Sequence, residues 1–220
     1  MADKKEDQVL IIGLGRFGAA TALETMMLGR EVMGIERKLE LVDKYSSKLT
    51  YVVQADATNM EALEQLGAGD FRYAIVGVAT SVEASVLITA NLVDLGIPNI
   101  WAKALTPSHG KILERIGAHH VIYPEADAGE RVAHLLSGRL LDFIEFDDGF
   151  SIAKMYPPKG IVGLTYSQAG IRNTQGVTIV GTKKPGQAFE FAVDDSVIDE
   201  NEVMILSGQV EDLEKFSERS

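Results

Sequence analysis

The chain contains no cysteine among its 220 residues. Disulfide bonds, thiolate catalysis and cysteine-based zinc sites are therefore excluded. No apolar run approaches the roughly 18 residues that a membrane-crossing helix needs. Residues 1–8 are charged and lack the apolar segment of a signal peptide. We therefore expect a soluble, cytoplasmic protein.

Basic residues are also scarce. Lysine and arginine number 21 against 32 acidic residues, which gives a formal net charge of −11. This balance argues against a nucleic-acid partner and against adsorption to an anionic membrane surface, because both require a basic face. The G-x-x-x-x-G-K-[ST] phosphate-binding loop and the G-x-S-x-G nucleophile pattern are both missing as well.

The strongest local signal is Val9–Gly18, whose sequence is VLIIGLGRFG. Its apolar start predicts a buried parallel strand, and Ala19–Leu28 then has a helical pattern. Gly13, Gly15 and Gly18 between them have the G-x-G-x-x-G spacing. The first glycine permits a tight turn, the second lets a phosphate approach the backbone, and the third lets the helix pack closely on the strand. We predict a nucleotide phosphate at the helix N-terminus, the alternative being a glycine-rich turn without a ligand.

An acidic residue lies at the distance from these glycines that ribose binding requires. A second apolar strand, Glu31–Ile35, leads into Glu36, about twenty residues past the glycines. Arg37 follows directly. The acid favours a free ribose hydroxyl, whereas the arginine could favour a 2′-phosphate, so both interpretations stay open.

The order of apolar segments predicts an α/β fold with a doubly wound parallel Rossmann sheet. Six short segments have strand character, and helical segments alternate with them. The predicted strands are Val9–Ile12, Glu31–Ile35, Tyr51–Val53, Tyr73–Val78, Asn99–Lys103 and His120–Tyr123. Because nucleotides bind such sheets at the carboxyl ends of the strands, the polar turns there are candidate site residues.

After the sixth strand the pattern changes. Ala126–Leu141 predicts an amphipathic helix, and a series of short β-like runs and a closing helix follow. The predicted runs are Asp142–Phe146, Ser151–Tyr156, Val177–Thr182, Phe189–Val193 and Glu202–Ser207, with the helix at Val210–Phe216. We predict a nucleotide-binding domain over residues 1–142 and a small α+β subdomain over residues 143–220.

Three charged residues lie at the expected ligand edge. Arg16 is inside the glycine turn, where a guanidinium could form charge-assisted hydrogen bonds to phosphate. Lys103 ends the fifth strand and is a candidate phosphate or ribose contact. Glu125 follows the sixth strand, where a carboxylate could repel bound phosphates or hold a divalent cation between them.

The four histidines are the candidates for acid–base catalysis. They are His109, His119, His120 and His134, and none forms a recognisable catalytic motif with an aspartate or glutamate. His109 is the best functional candidate, because it lies near the end of the fifth strand. We therefore expect that the protein is not an enzyme. The alternative function is a small NAD(P)-dependent oxidoreductase.

Several motifs together resemble the RCK family, and more narrowly its KtrA/TrkA-type cytosolic subunits of bacterial potassium uptake systems. The resemblance covers nearly the whole chain. It rests on Gly13–Gly18, Glu36, Asp56–Thr58, Ile97–Lys103 (IPNIWAK), Leu113–Ala118 (LERIGA) and Tyr123–Glu125 and, more loosely, on Gly160–Gly163 and Gly170–Val180.

The resemblance implies a regulator that binds ATP or ADP, with NAD(H) as the alternative nucleotide. The implied site residues are Gly13, Leu14, Gly15, Arg16, Phe17, Gly18, Glu36, Arg37, Asp56, Ala57, Thr58, Ala79, Thr80, Lys103, Ala104, His109 and Glu125. Among them Arg16 would reach phosphate, Glu36 would hold ribose, and Glu125 would coordinate Mg²⁺ or Ca²⁺.

The resemblance also implies partners and a second ligand. Homodimers would assemble into an octameric ring beneath a membrane potassium channel or transporter subunit of the KtrB/TrkH type, so the chain would lie at the inner face of the cell membrane. In the RCK-C subdomain some relatives bind cyclic di-AMP between two protomers. The nearest matching residues here are Ile161, Val162, Arg172 and Asn173, and Ser167–Ala169 departs from the usual spacing.

Overall fold

A computed structural model of the chain describes residues 8–78, 81–136, 140–171 and 176–218. The chain divides into two compact units, the first ending at Glu125 and the second beginning at Ala126. The sequence analysis places the domain boundary after residue 142, so the segment between these two boundaries belongs to the second compact unit.

Six parallel strands form the sheet of the first unit, in the order β3-β2-β1-β4-β5-β6. This order confirms the predicted doubly wound parallel sheet. The strands are β1 (Gln8–Ile12), β2 (Glu31–Glu36), β3 (Tyr51–Gln54), β4 (Tyr73–Val76), β5 (Asn99–Lys103) and β6 (His120–Ile122). The helices between them are α1 (Arg16–Met27), α2 (Leu39–Tyr45), α3 (Met60–Gln65), α4 (Val82–Asp94) and α5 (Pro107–Ile116).

Strand β1 lies in the middle of this sheet and is apolar on both faces. Leu10 and Ile12 pack in one buried cluster, and Val9 and Ile11 pack in another. Successive strand residues point to opposite faces, so each face of the sheet contributes to its own core. Burial on both faces explains why this strand is a continuous apolar run rather than an alternating one.

The helices of the first unit differ in how they begin. Three of them have a side-chain cap that accepts hydrogen bonds from backbone N–H groups of the first turn. The capping residues are Asn59 for α3, Ser81 for α4 and Thr106 for α5. Helix α1 begins after Gly15, and within the described residues no side chain caps it. The N–H groups of its first turn are therefore left for solvent or a ligand.

The second unit contains a four-stranded antiparallel sheet in the order β7-β8-β10-β9. Its core includes Phe143, Met155, Met204, Leu213 and Phe216. The strands are β7 (Leu140–Glu145), β8 (Phe150–Met155), β9 (Thr178–Lys183) and β10 (Val203–Gln209), and the helices are α6 (Pro124–Leu136), α7 (Tyr166–Ala169) and α8 (Val210–Ser217). The described residues form no helix with the length and apolar character needed to cross a membrane.

The predicted end of one helix and one predicted strand of this unit are wrong. Helix α6 ends at Leu136, and Leu140 belongs to strand β7, because pairing with β8 buries Leu140 and Phe143 in the core. The predicted strand Phe189–Val193 is reduced to one isolated bridge between Thr182 and Glu190. The side chains of Phe189, Phe191 and Val193 are exposed and Ala192 is only partly buried, so little buried surface stabilises a longer pairing.

Candidate nucleotide-binding site

The glycine turn between β1 and α1 has the geometry that its sequence predicts. Gly13 has a φ of +89°, and a Cβ there would lie 2.7 Å from a methyl carbon of Val78. A Cβ at Gly18 would lie 1.9 Å from the carbonyl oxygen of Gly13, whereas a Cβ at Gly15 would meet no atom within 4 Å. The first and third glycines are therefore required by packing, and the second leaves open space above the backbone.

Glu36 holds this turn in place from the end of β2. It is only 9% exposed, and its Oε2 accepts a 2.7 Å hydrogen bond from the N–H of Leu14. Its Oε1 accepts 2.9 Å bonds from the N–H groups of Arg37 and Lys38. A carboxylate has about four acceptor positions, so capacity for one more donor, such as a ribose hydroxyl, remains. Sequence reasoning found the acid but not its backbone partners.

The turn after β3 is also fixed by side-chain hydrogen bonds. Asp56 Oδ1 accepts from the N–H (3.0 Å) and the hydroxyl (2.8 Å) of Thr58. These bonds, and more weakly the charge of Arg37, hold the pKa of Asp56 below its usual value. Asn91 on α4 donates its side-chain N–H groups to the carbonyl oxygens of Ala57 and Thr58, a contact that no local sequence pattern could reveal.

These turns enclose a cavity of about 370 Å³ at the carboxyl ends of β1 to β4. The strand order reverses between β1 and β4, which is where open α/β sheets bind ligands. Predicted site residues that line it are Gly13, Gly15, Glu36, Arg37, Asp56, Ala57 and Thr58. Sequence reasoning missed Lys38, Gly77, Ser81 and the apolar wall of Ile12, Ile35, Leu41, Ala55, Val78, Ala84 and Ile88.

A second set of predicted residues, Arg16, Phe17, Lys103 and Glu125, is not part of this cavity lining. Lys103 is 8% exposed, and its Nζ lies 2.5 Å from Oε1 of Glu125 and 5.8 Å from the ring centre of Phe17. The hydrogen bond from Lys103, with a smaller effect from the charge of Arg16, lowers the pKa of Glu125. Arg16, Lys103 and Glu125 are thus electrostatically coupled.

The other predicted residues have different surroundings. The Leu14 side chain is fully buried in the core, and Ala104 is buried beside β6, to which its N–H donates. Neither lines the cavity.

Ala79 and Thr80 lie outside the described residues. So do two of the four predicted cyclic di-AMP contacts, Arg172 and Asn173. Of the other two, Ile161 packs against the core of the second unit, and Val162 is partly exposed.

His109 is buried at the start of α5, 2% exposed, and does not line the cavity. Its Nδ1 accepts a 3.3 Å hydrogen bond from the N–H of Leu105, and among the described residues its Nε2 has no hydrogen-bond partner. Burial lowers the pKa of this imidazole, so it is neutral at pH 7.

The other three histidines have structural contacts. His119 Nδ1 accepts from the N–H of Ile100, and His120 stacks on Trp101 at 3.9 Å between ring centres. His134 has an acidic neighbour that no local motif could indicate. Its Nδ1 lies 3.2 Å from Oε1 of Glu214, a residue far away in the sequence.

Comparison with known proteins agrees with this architecture. Residues 9–124 match the TrkA-N domain family. Ktr system potassium uptake protein A of Bacillus subtilis (strain 168) is 34% identical over 213 residues, which cover 96% of this chain and 96% of the relative.

Two solved structures show the same fold at 19% identity. The crystal structure of the GsuK RCK domain has a TM-score of 0.67 and covers 100% of this chain. The GsuK channel bound to NAD also has a TM-score of 0.67 and covers 99% of this chain. This chain spans 49% and 40% of those two chains. The fold, the glycine turn and these similarities confirm the RCK resemblance, and the chain belongs to the TrkA-N domain family.

Proposed function

We propose that this chain is a nucleotide-sensing regulatory subunit of a potassium channel or transporter. The observation that carries the proposal is the cavity at the β1–β4 switch point, bounded by the open Gly15 backbone and the buried carboxylate of Glu36. The similarity to a Ktr system potassium uptake protein along nearly the whole chain supports the potassium system as the target.

The cavity suits an adenine nucleotide. Its volume lies at the small end of ligand pockets, and apolar walls combine with a few polar groups. Phosphates would lie over Gly15, where the uncapped N–H groups of α1 and its dipole favour negative charge. Glu36 would hold the ribose, and the turn Asp56–Thr58 would lie beside the base.

The cluster of Arg16, Lys103 and Glu125 suggests how the protein would distinguish ATP from ADP. Lys103 and Glu125 form an ion pair, and Arg16 is near enough to affect the pKa of Glu125. A triphosphate would recruit Arg16 and Lys103, and a divalent cation, Mg²⁺ or Ca²⁺, would then balance the released Glu125 carboxylate. We propose ATP or ADP as the physiological ligand, with NAD(H) as an alternative because one solved neighbour is bound to NAD.

Regulation requires that nucleotides differ in affinity for two states of the assembly. We propose a homodimer that forms an octameric ring at the cytoplasmic face of a KtrB/TrkH-type membrane subunit. Moving a gate from mostly shut to mostly open takes about 5.5 kcal/mol in total. Eight sites would need about 0.7 kcal/mol each, which is roughly a threefold affinity difference per site. A γ-phosphate contact is sufficient for that difference.

Cyclic di-AMP is a further ligand to test, with Ile161, Val162, Arg172 and Asn173 as the proposed contacts in the second unit. Apolar side chains and an arginine are the residue types that a cyclic dinucleotide requires, because the bases need apolar contact and the phosphates need a cation. Calorimetric titration of the full chain with cyclic di-AMP tests this. Absence of saturable binding would remove the second site without affecting the first.

The main experiment is a calorimetric titration of the nucleotide-free chain with ATP, ADP, NADH and NADPH. We expect ATP and ADP to bind, and failure of all four would end the nucleotide proposal. Potassium flux in liposomes that hold the cognate membrane subunit then tests regulation. Adding this chain should make the flux differ between ATP and ADP. Catalytic oxidation of NAD(P)H with a carbonyl substrate would instead favour the oxidoreductase.

A further inference from the structure

Two basic residues, Arg37 and Lys38, directly follow Glu36 and line the nucleotide cavity beside it. Both are exposed, and among the described residues no carboxylate oxygen lies within 4 Å of either cationic group. After the hydrogen bonds from Thr58, the charge of Arg37 also lowers the pKa of Asp56, so the guanidinium lies near this second part of the cavity lining. Two cations that no close acid neutralises therefore border the space for a ligand.

The carboxylates at this end of the cavity are already hydrogen-bonded within the protein. Asp56 Oδ1 accepts from the N–H and the hydroxyl of Thr58. Glu36 Oε1 accepts from two backbone N–H groups and Oε2 accepts from one. A carboxylate oxygen has about two acceptor positions, so Oε1 of Glu36 is saturated and one position remains at Oε2. Glu36 therefore has room for one ribose hydroxyl and not for both.

The backbone that carries the two cations is fixed on both sides. The N–H groups of Arg37 and Lys38 each donate a 2.9 Å hydrogen bond to Glu36 Oε1. The Gln54 side chain donates to the carbonyl oxygen of Arg37 at 3.1 Å, and Ala55 N–H donates to the carbonyl oxygen of Glu36 at 3.1 Å. The long side chains can therefore close on a charged group without any change in the turn.

We propose that Arg37 and Lys38 bind a phosphate carried by the ribose of an adenine nucleotide. This inference rests on the proposed nucleotide site. With one ribose hydroxyl donating to Glu36, the neighbouring ribose position would face the two cations. A guanidinium and an ammonium form charge-assisted hydrogen bonds to phosphate oxygens. The acid and the arginine, which the sequence leaves as alternatives, thus serve adjacent ribose positions.

The ligand class is an adenine nucleotide with an additional phosphate on its ribose. The phosphate lies at the 2′ position in NADP(H) and at the 3′ position in coenzyme A, and the same two cations suit either. Calorimetric titration of the nucleotide-free chain with AMP, ADP, adenosine 2′,5′-bisphosphate and adenosine 3′,5′-bisphosphate distinguishes these sources. ADP and the two bisphosphates are isomers, so a difference among them reports the position of the second phosphate rather than the number of phosphates.

We expect at least one of the bisphosphates to bind about tenfold or more tightly than AMP, because charge-assisted hydrogen bonds form to the added phosphate. The 2′ isomer as the tighter ligand would assign the NADP(H) class, and the 3′ isomer would assign the coenzyme A class. Arg37→Gln together with Lys38→Gln should weaken the tighter bisphosphate at least tenfold more than it weakens ADP, whose phosphates would lie at the glycine turn.

The variant is expected to fold, because both side chains are exposed and their backbone N–H groups still bond to Glu36. Lys111→Gln together with Arg115→Gln is the matched control. It makes the same two changes at exposed residues of α5 that do not line the cavity. It should leave the affinity for the bisphosphates unchanged.

Three results would overturn this inference. One is that ADP binds while neither bisphosphate binds more tightly than AMP, which would leave the proposed nucleotide site intact. Another is an equal loss of ADP and bisphosphate affinity after the Arg37 and Lys38 changes, and the third is an equal loss of bisphosphate affinity in the control. Failure of every ligand to bind would instead overturn the proposed function together with this inference.

Discussion

Replacing Glu36 with glutamine tests whether this residue supports the glycine turn as well as a ligand. The carboxylate accepts hydrogen bonds from three backbone N–H groups, two at Oε1 and one at Oε2. Glutamine has one side-chain oxygen, so its NH₂ group must face either Leu14 N–H or the N–H groups of Arg37 and Lys38. At least one buried donor then loses its acceptor, and the remaining bonds lose their charge.

The expected loss of stability follows from these contacts. A hydrogen bond to a charged group contributes about 1.5–3 kcal/mol, and Glu36 is too buried for water to replace it fully. If the loss appears as local opening of the turn, amide exchange at Leu14 should accelerate roughly 10- to 140-fold. If it appears in global unfolding, the thermal midpoint should fall by about 3–12 °C for a chain of this size.

Hydrogen exchange of the nucleotide-free chain, followed by mass spectrometry, measures the first quantity, and thermal unfolding by circular dichroism measures the second. Glu31→Gln is the matched control, because it makes the same change at the exposed start of β2. Among the described residues its carboxylate accepts one exposed hydrogen bond, from Gln8, so the control should change stability by less than about 0.5 kcal/mol. Equal exchange at Leu14 and equal midpoints in the two variants would refute the reasoning.

Three further predictions concern the charged and titratable residues. Arg16→Ala should weaken ATP binding about ten- to a hundredfold in calorimetry and leave adenosine binding unaffected, because ATP has phosphates that would contact Arg16 and adenosine has none. Equal losses for both ligands would contradict it. Glu125→Gln should abolish the synergy between Mg²⁺ and ATP and leave ADP affinity nearly intact; unchanged synergy would count against a cation at Glu125. Burial lowers the pKa of His109, so the unfolded chain binds more protons below pH 6.5 and stability should fall as pH drops through that region. His109→Gln should flatten this part of the urea-unfolding profile, and an unchanged slope would show that another group titrates there.

The local pattern of the first unit was sufficient to predict its fold. The apolar run at Val9–Ile12 and the glycines that follow it identify a buried strand and a tight turn, because both depend on neighbouring residues. The second unit was harder to predict. The sequence at residues 140–141 suits either a helix or a strand, and only pairing with β8 decides between them. The segment Phe189–Val193 resembles a strand, but its large apolar side chains are exposed.

The sequence by itself determined the glycine turn, the acid at the end of β2 and the doubly wound sheet that brings them together, since each depends on spacing along the chain. Only the tertiary structure decided which distant groups meet. Glu36 bonds to Leu14, Lys103 to Glu125, and His134 approaches Glu214 through contacts between separate elements. Such contacts depend on strand register and helix packing, which are set by the burial of the whole core rather than by any local pattern.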